Sequence, residues 1–129
     1  MKILIADDYA DTLQIYAAVL QRAGHEVVGA NDGVKAWEAF YAAVYAGAPF
    51  DLLLLDVAMP EMDGLECARR IRHFETEQRM IPTRLIFLSA HLEQVAVEDV
   101  ARLGIHAVVQ KPIGLDELRA LCQNGTNGN

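Results

Sequence analysis

The stretch DLLLLDVAMPEMDG, residues 51–64, carries four leucines straight into Asp56 and then turns, with Pro60 and Gly64 close behind. LLLLD, residues 52–56, is too short for a helix and shows no alternation of apolar and polar positions. It therefore reads as a strand buried on both faces, the kind found inside parallel sheets. An aspartate at the end of such a strand can cap a helix, make a turn or act as a reactive group.

Outward from this strand the chain keeps one rhythm. KILIA (2–6) is a short β-forming run that stops at Asp7-Asp8. TLQIYAAVLQRAG follows, with Leu13, Ala17 and Leu20 at helical spacing and a stop at Gly24. HEVVGA (25–30) reads as a strand, and Asn31-Asp32-Gly33 as a turn whose Asp32 caps the next helix. That helix carries the stripe Trp37, Phe40, Tyr41 and Val44, expected to be core packing with Tyr41 and Tyr45 partly exposed. Asp63-Gly64 opens a helix with Leu65, Ala68 and Ile71 inward, followed by a polar stretch, residues 73–83. RLIFLS (84–89) is a strand, Glu93–Leu103 a helix stopped by Gly104, HAVVQ (106–110) a strand and LDELRALC (115–122) the last helix. Five strands alternating with five helices predict an α/β fold: a doubly wound, five-stranded parallel sheet covered on both faces. Residues 1–122 are expected to form this domain and 123–129 a disordered tail.

Bulk properties narrow the function. A length of 129 residues suits one domain, and 53% hydrophobic content is enough for a core. The net charge of −7 argues against a nucleic-acid or membrane-binding surface. Cys67 and Cys122 form no CxxC pair, which favours a reducing cytoplasm. The first strand begins at Lys2, so no leader is expected ahead of it, and no apolar run reaches the ~20 residues of a membrane span. The triplet Asn124-Gly125-Thr126 matches a glycosylation pattern that a cytoplasmic protein would leave unused.

In a parallel sheet the strand C-termini share one edge, and ligands bind outside it. Here the first strand ends in Asp7-Asp8, the third in Asp56, the fourth in Ser89 and the fifth just before Lys111. Each group alone is commoner as a cap or turn residue; their joint placement points to a site. Three clustered carboxylates call for a cation beyond Lys111. Oxygen-only ligands favour Mg2+, with Mn2+ an alternative. An ionised aspartate beside such a metal can form an acyl phosphate, with metal and lysine stabilising the phosphoryl oxygens.

IADD (5–8), LLLLDVAMPEMDG (52–64), LIFLSA (85–90) and QKPI (110–113) together resemble the CheY-like receiver domain of two-component response regulators. The resemblance spans about residues 2–122 and implies the flavodoxin-like strand order 2-1-3-4-5. It implies Asp56 as phosphoacceptor. Asp8, Asp56 and the Ala58 carbonyl would bind Mg2+ directly, and Asp7 through a water. Ser89 and Lys111 would contact phosphoryl oxygens, the Ala58 and Ala90 N–H groups would complete the cradle, and Lys111-Pro112 would be cis. The donor would be a histidine kinase or histidine phosphotransfer protein, and residues 93–121 would face an unknown downstream protein. This face is acidic at Glu93, Glu98, Asp99, Asp116 and Glu117, broken by Arg102 and Arg119.

Two positions depart from the family pattern. Val108 stands where an aromatic switch residue is usual, and Ile113 where Phe is common. Pro112-Ile113 and MDGLECARRIR are similar to receivers of hybrid kinases, so a stand-alone receiver and an excised fragment both remain open. An aspartyl-phosphate phosphatase is the enzyme alternative, but Ala58 occupies the place of its second aspartate. The other alternative is a pseudo-receiver that binds protein without phosphate; the intact set Asp7, Asp8, Asp56, Ser89 and Lys111 argues against it. His25, His73, His91 and His106 have no metal-site spacing and are expected at the surface or strand edges. Arg69, Arg70 and Arg72 are expected on a solvated face.

Overall fold

The computed structural model describes the backbone of residues 1–127 and the side chains through Gln123. Five strands, β1 (Lys2–Ala6), β2 (Glu26–Ala30), β3 (Leu52–Asp56), β4 (Arg84–Ser89) and β5 (Ala107–Gln110), form one parallel sheet in the order β2-β1-β3-β4-β5. The helices are α1 (Ala10–Arg22), α2 (Gly33–Tyr45), α3 (Gly64–Glu77), α4 (Val97–Leu103) and α5 (Leu115–Asn127), with a 3-10 turn at Leu92–Gln94.

The unbroken apolar character of the central strands follows from a two-sided core. Successive side chains of a strand point to opposite faces. Leu4, Leu53, Leu55, Leu85 and Phe87 meet Phe40 of α2 and Cys67, Ala68 and Ile71 of α3. Ile3, Ile5, Leu52, Leu54, Ile86 and Leu88 meet Tyr16 and Leu20 of α1 and Leu118 and Cys122 of α5. Ile113 fills part of this second face, so the aliphatic residue at that position is core packing.

Several boundaries differ from the sequence reading. The helix expected over 93–103 is split into the 3-10 turn and the short α4, and neither buries a residue. Val95, Val100 and Leu103 pack on the core but none is fully covered, so the segment gains less from docking than the longer helices do. α3 runs through Glu77, into the stretch expected to be polar and irregular, because Phe74 packs against Trp37 and Phe40 and Glu75 is buried. α5 continues past Cys122 to Asn127, so the expected tail is helical in backbone there; residues 128–129 lie outside the described residues. Each residue added to a docked helix gains a hydrogen bond, and Gly125 opposes this by only about 1 kcal/mol.

The arginine expectation also needs correction. Arg72 is not on a solvated face: its guanidinium donates to Glu75 Oε1 (2.8 Å), Thr83 O (2.8 Å), Leu103 O (2.7 Å) and Gly104 O (3.3 Å). Glu75 Oε2 in turn accepts from Thr83 N at 2.7 Å. Helical spacing places Arg72 beside Glu75, but only the packing of α3 on α4 and β4 turns the pair inward. Arg69 and Arg70 remain outside, Arg69 near Glu66 and Asp99 and Arg70 over the Trp37 ring. The histidines fit their expected places; His106, ahead of β5, contacts Arg84.

Candidate phosphoacceptor site

β1 and β3 lie side by side where the chain reverses its direction of winding, the switch point at which such sheets bind ligands. β1 delivers Asp7 and Asp8 just beyond Ala6, and β3 ends in Asp56. β4 ends in Ser89, and Lys111 follows β5 directly. The chemical groups that the sequence placed at strand ends therefore share one rim. One carboxylate oxygen from each of Asp7, Asp8 and Asp56 lies within 4.8 Å of the others. Asp7 and Asp56 are buried while Asp8 is exposed, so the cluster opens to solvent on the Asp8 side.

Lys111 Nζ bridges the two buried carboxylates, 2.7 Å from Asp7 Oδ2 and 3.0 Å from Asp56 Oδ2. Burial would lower the Lys111 pKa, but its hydrogen bonds to Asp7 and Asp56 outweigh that, and the net shift is upward. Burial raises the Asp56 pKa, opposed by Lys111 and by the Ala58 amide and reinforced by the Asp7 charge. One ammonium against three carboxylates leaves a formal excess of two negative charges. The donors are all oxygen, so the site fits a hard divalent cation such as Mg2+, which Asp7, Asp8 and Asp56 could hold.

Local folding holds each group in place. Asp7 Oδ1 accepts from Tyr9 N at 2.9 Å, which fixes the turn into α1. Asp56 Oδ1 accepts from Ala58 N at 3.2 Å, so the amide expected in the phosphate cradle already faces the carboxylate. Gly64 N closes the loop on Val57 O at 2.8 Å, and a Cβ at Gly64 would stand 2.3 Å from Asp56 O. Only glycine permits that approach at the first turn of α3. Asp63 caps this helix by accepting from Glu66 N at 2.8 Å.

Ser89 and Ala90 sit at the same rim, and the Ser89 hydroxyl bonds the loop that follows it. It donates to His91 O and accepts from His91 N, each at 3.1 Å. The Lys111-Pro112 bond is cis, as the resemblance implied. The sequence reading missed Tyr16, whose hydroxyl accepts from Ile113 N at 3.2 Å and ties α1 to the segment behind Lys111. Its position four residues before Leu20, on the inward stripe of α1, was the available signal.

Sequence comparison agrees with this geometry. The family model for the response regulator receiver domain matches residues 3–123, and the chain belongs to that family. It is 34% identical over 117 residues to the transcriptional regulatory protein CrdR of Helicobacter pylori, covering 91% of this chain and 50% of CrdR. It is 30% identical to histidine kinase 3 of Arabidopsis thaliana, covering 91% of this chain and 12% of that protein. The chain thus spans half or less of these relatives. Among solved structures, TrrA of Thermotoga maritima, in complex with Mg(2+)-BeF, has a TM-score of 0.78 at 26% identity. That match covers 96% of this chain and 97% of TrrA. CheY4 of Vibrio cholerae has a TM-score of 0.76 at 28% identity, with the same coverages of 96% and 97%.

Proposed function

We propose that this domain is a phosphoacceptor switch of a two-component phosphorelay, phosphorylated on Asp56 in a Mg2+-dependent reaction. The observation that carries the reading is the Lys111 ammonium bridging Asp7 and Asp56 in a cluster still two charges short of neutrality. That the structurally similar TrrA forms a complex with Mg(2+)-BeF supports Mg2+ binding by this domain.

The donor is the phosphohistidine of a histidine kinase or phosphotransfer protein, a source favoured by the receiver-containing kinase relatives. An Asp56 Oδ forms the new bond to phosphorus as the bond from phosphorus to imidazole nitrogen breaks. The electron pair returns to the imidazole, which takes a proton from water. Mg2+ would neutralise charge shared between the carboxylate and the phosphoryl oxygens. Lys111 contacts one phosphoryl oxygen, Ser89 rotates toward another, and the Ala58 and Ala90 amides complete the cradle. The new group biases a two-state surface over residues 93–121, read by a downstream protein. Water later hydrolyses the acyl phosphate, so the domain acts only on itself and is not an enzyme with an external substrate. The setting is cytoplasmic; no helix among the described residues is long and apolar enough to cross a membrane.

Incubation with Mg2+ and acetyl phosphate, followed by intact-mass measurement, tests this. A single phosphate adduct is expected in the wild type and none in Asp56→Asn or in EDTA. An unmodified wild type, or an equal adduct in Asp56→Asn, would sink the reading.

A further inference from the structure

α4 and the 3-10 turn before it are held unequally at their two ends. At the rear, Arg72 of α3 donates to Leu103 O at 2.7 Å and Gly104 O at 3.3 Å. These carbonyls belong to the helix end, where acceptors lack intrahelical partners and a cation is favoured by the dipole. Gly104 itself is left-handed, with φ 61°. The guanidinium cannot wander, because Glu75, 1% exposed, holds Nη1 and is fixed in turn by Thr83 N.

The front end is held more loosely, by Arg69 of α3 at 3.8 Å from Asp99 and by the partly buried Val95 and Val100. Ala96 offers α4 no side-chain cap, Val97 is 77% exposed, and no residue of α4 is buried. Such segments open locally at low cost. Ahead of these contacts, the Ser89 hydroxyl ties the start of the segment through its two hydrogen bonds to His91. Beneath lies an apolar groove of about 280 Å³ lined by Leu92, Val95, Val97, Val100 and Val108. Val108 of β5 forms one wall of this space.

We infer that the Arg72–Glu75 clasp is the fixed rear hinge of the segment, so that release of Ser89 moves residues 91–99 over the groove while Leu103–His106 stay in place. Arg72 and Glu75 are positioning residues: neither touches the reacting atoms. The inference rests on the phosphoacceptor reading. It follows because one hydroxyl cannot serve a phosphoryl oxygen and keep both its bonds to His91.

Amide hydrogen exchange on the full chain, with and without Mg2+ and beryllofluoride, tests the hinge in the wild type, Arg72→Lys and Glu75→Gln. Fluorine NMR reports binding of beryllofluoride, and urea midpoints report folding. In the wild type, exchange over 91–99 should change by about tenfold, the worth of one charged hydrogen bond, with 103–106 little changed. In either variant the change should spread through 103–106. The hinge is overturned if 103–106 respond as strongly as 91–99 in the wild type, or if both variants keep the confined pattern. Absence of a bound fluorine signal in the wild type overturns the phosphoacceptor reading and the hinge with it.

Discussion

Replacing the proposed phosphoacceptor by its neutral isostere, Asp56→Asn, should make the metal-free protein more stable. Lys111 Nζ lies 3.0 Å from Asp56 Oδ2, an attraction of about 5.5 kcal/mol at an effective dielectric constant of ~20. Asp7 and Asp8 present oxygens within 4.8 Å, a repulsion of about 3.5 kcal/mol each on the same scale. Asp8 is exposed and screened, so the repulsion lies between one such contribution and two, and it roughly cancels the attraction. What remains is the cost of burying an ionised carboxylate, which is 4% exposed here. The upward pKa shift of Asp56, led by burial and only opposed by Lys111, has the same sign. Asparagine keeps an acceptor for Ala58 N and avoids most of that cost. A gain of about 1–3 kcal/mol is expected, or roughly 4–12 °C in Tm for a domain of this size. Mg2+ should erase most of that gain or reverse it. It stabilises only a state that binds it, by about 2.7 kcal/mol at a hundredfold excess over Kd, and the variant has lost a ligand. Thermal and urea denaturation followed by circular dichroism, in EDTA and in Mg2+, measure both effects. An Asp56→Asn protein less stable than the wild type in EDTA would refute the reasoning, as would equal Mg2+ stabilisation of the two.

Four further outcomes are expected. Arg72→Ala leaves Glu75 buried without its cation and should cost about 3 kcal/mol in urea unfolding, whereas Arg69→Ala, which loses only longer contacts to the exposed Glu66 and the half-buried Asp99, should cost less than about 1 kcal/mol. Gly64→Ala drives a Cβ into the Asp56 carbonyl and should cost about 2 kcal/mol while weakening Mg2+ binding, measured by calorimetry. Lys111→Met removes the ammonium from the site and should slow phosphorylation by acetyl phosphate about 100-fold, read by intact mass. The Cys67 thiol is buried and pushed up to about 12, so iodoacetamide at mildly alkaline pH should leave it unmodified in the folded protein and alkylate it in urea.

The sequence by itself determined the sheet and which polar groups meet at its rim. Four leucines without alternation can only satisfy a strand covered on both faces, and LLLLD, KILIA and RLIFLS became the three central strands. Because parallel strands bring their C-termini to one edge, Asp7, Asp8, Asp56, Ser89 and Lys111 were legible as neighbours from their positions at strand ends. What tertiary structure decided is how those groups engage and what packs behind them. Lys111 chooses Asp7 and Asp56, Ser89 turns to His91, and Tyr16 supports Ile113; each depends on distances across elements far apart in the chain. The split of residues 92–103 into a 3-10 turn and a short helix, and the burial of Arg72 with Glu75, were likewise invisible in the local pattern. Helical periodicity says which side chains share a face, but only the neighbouring elements determine whether that face meets water, a carbonyl or a carboxylate.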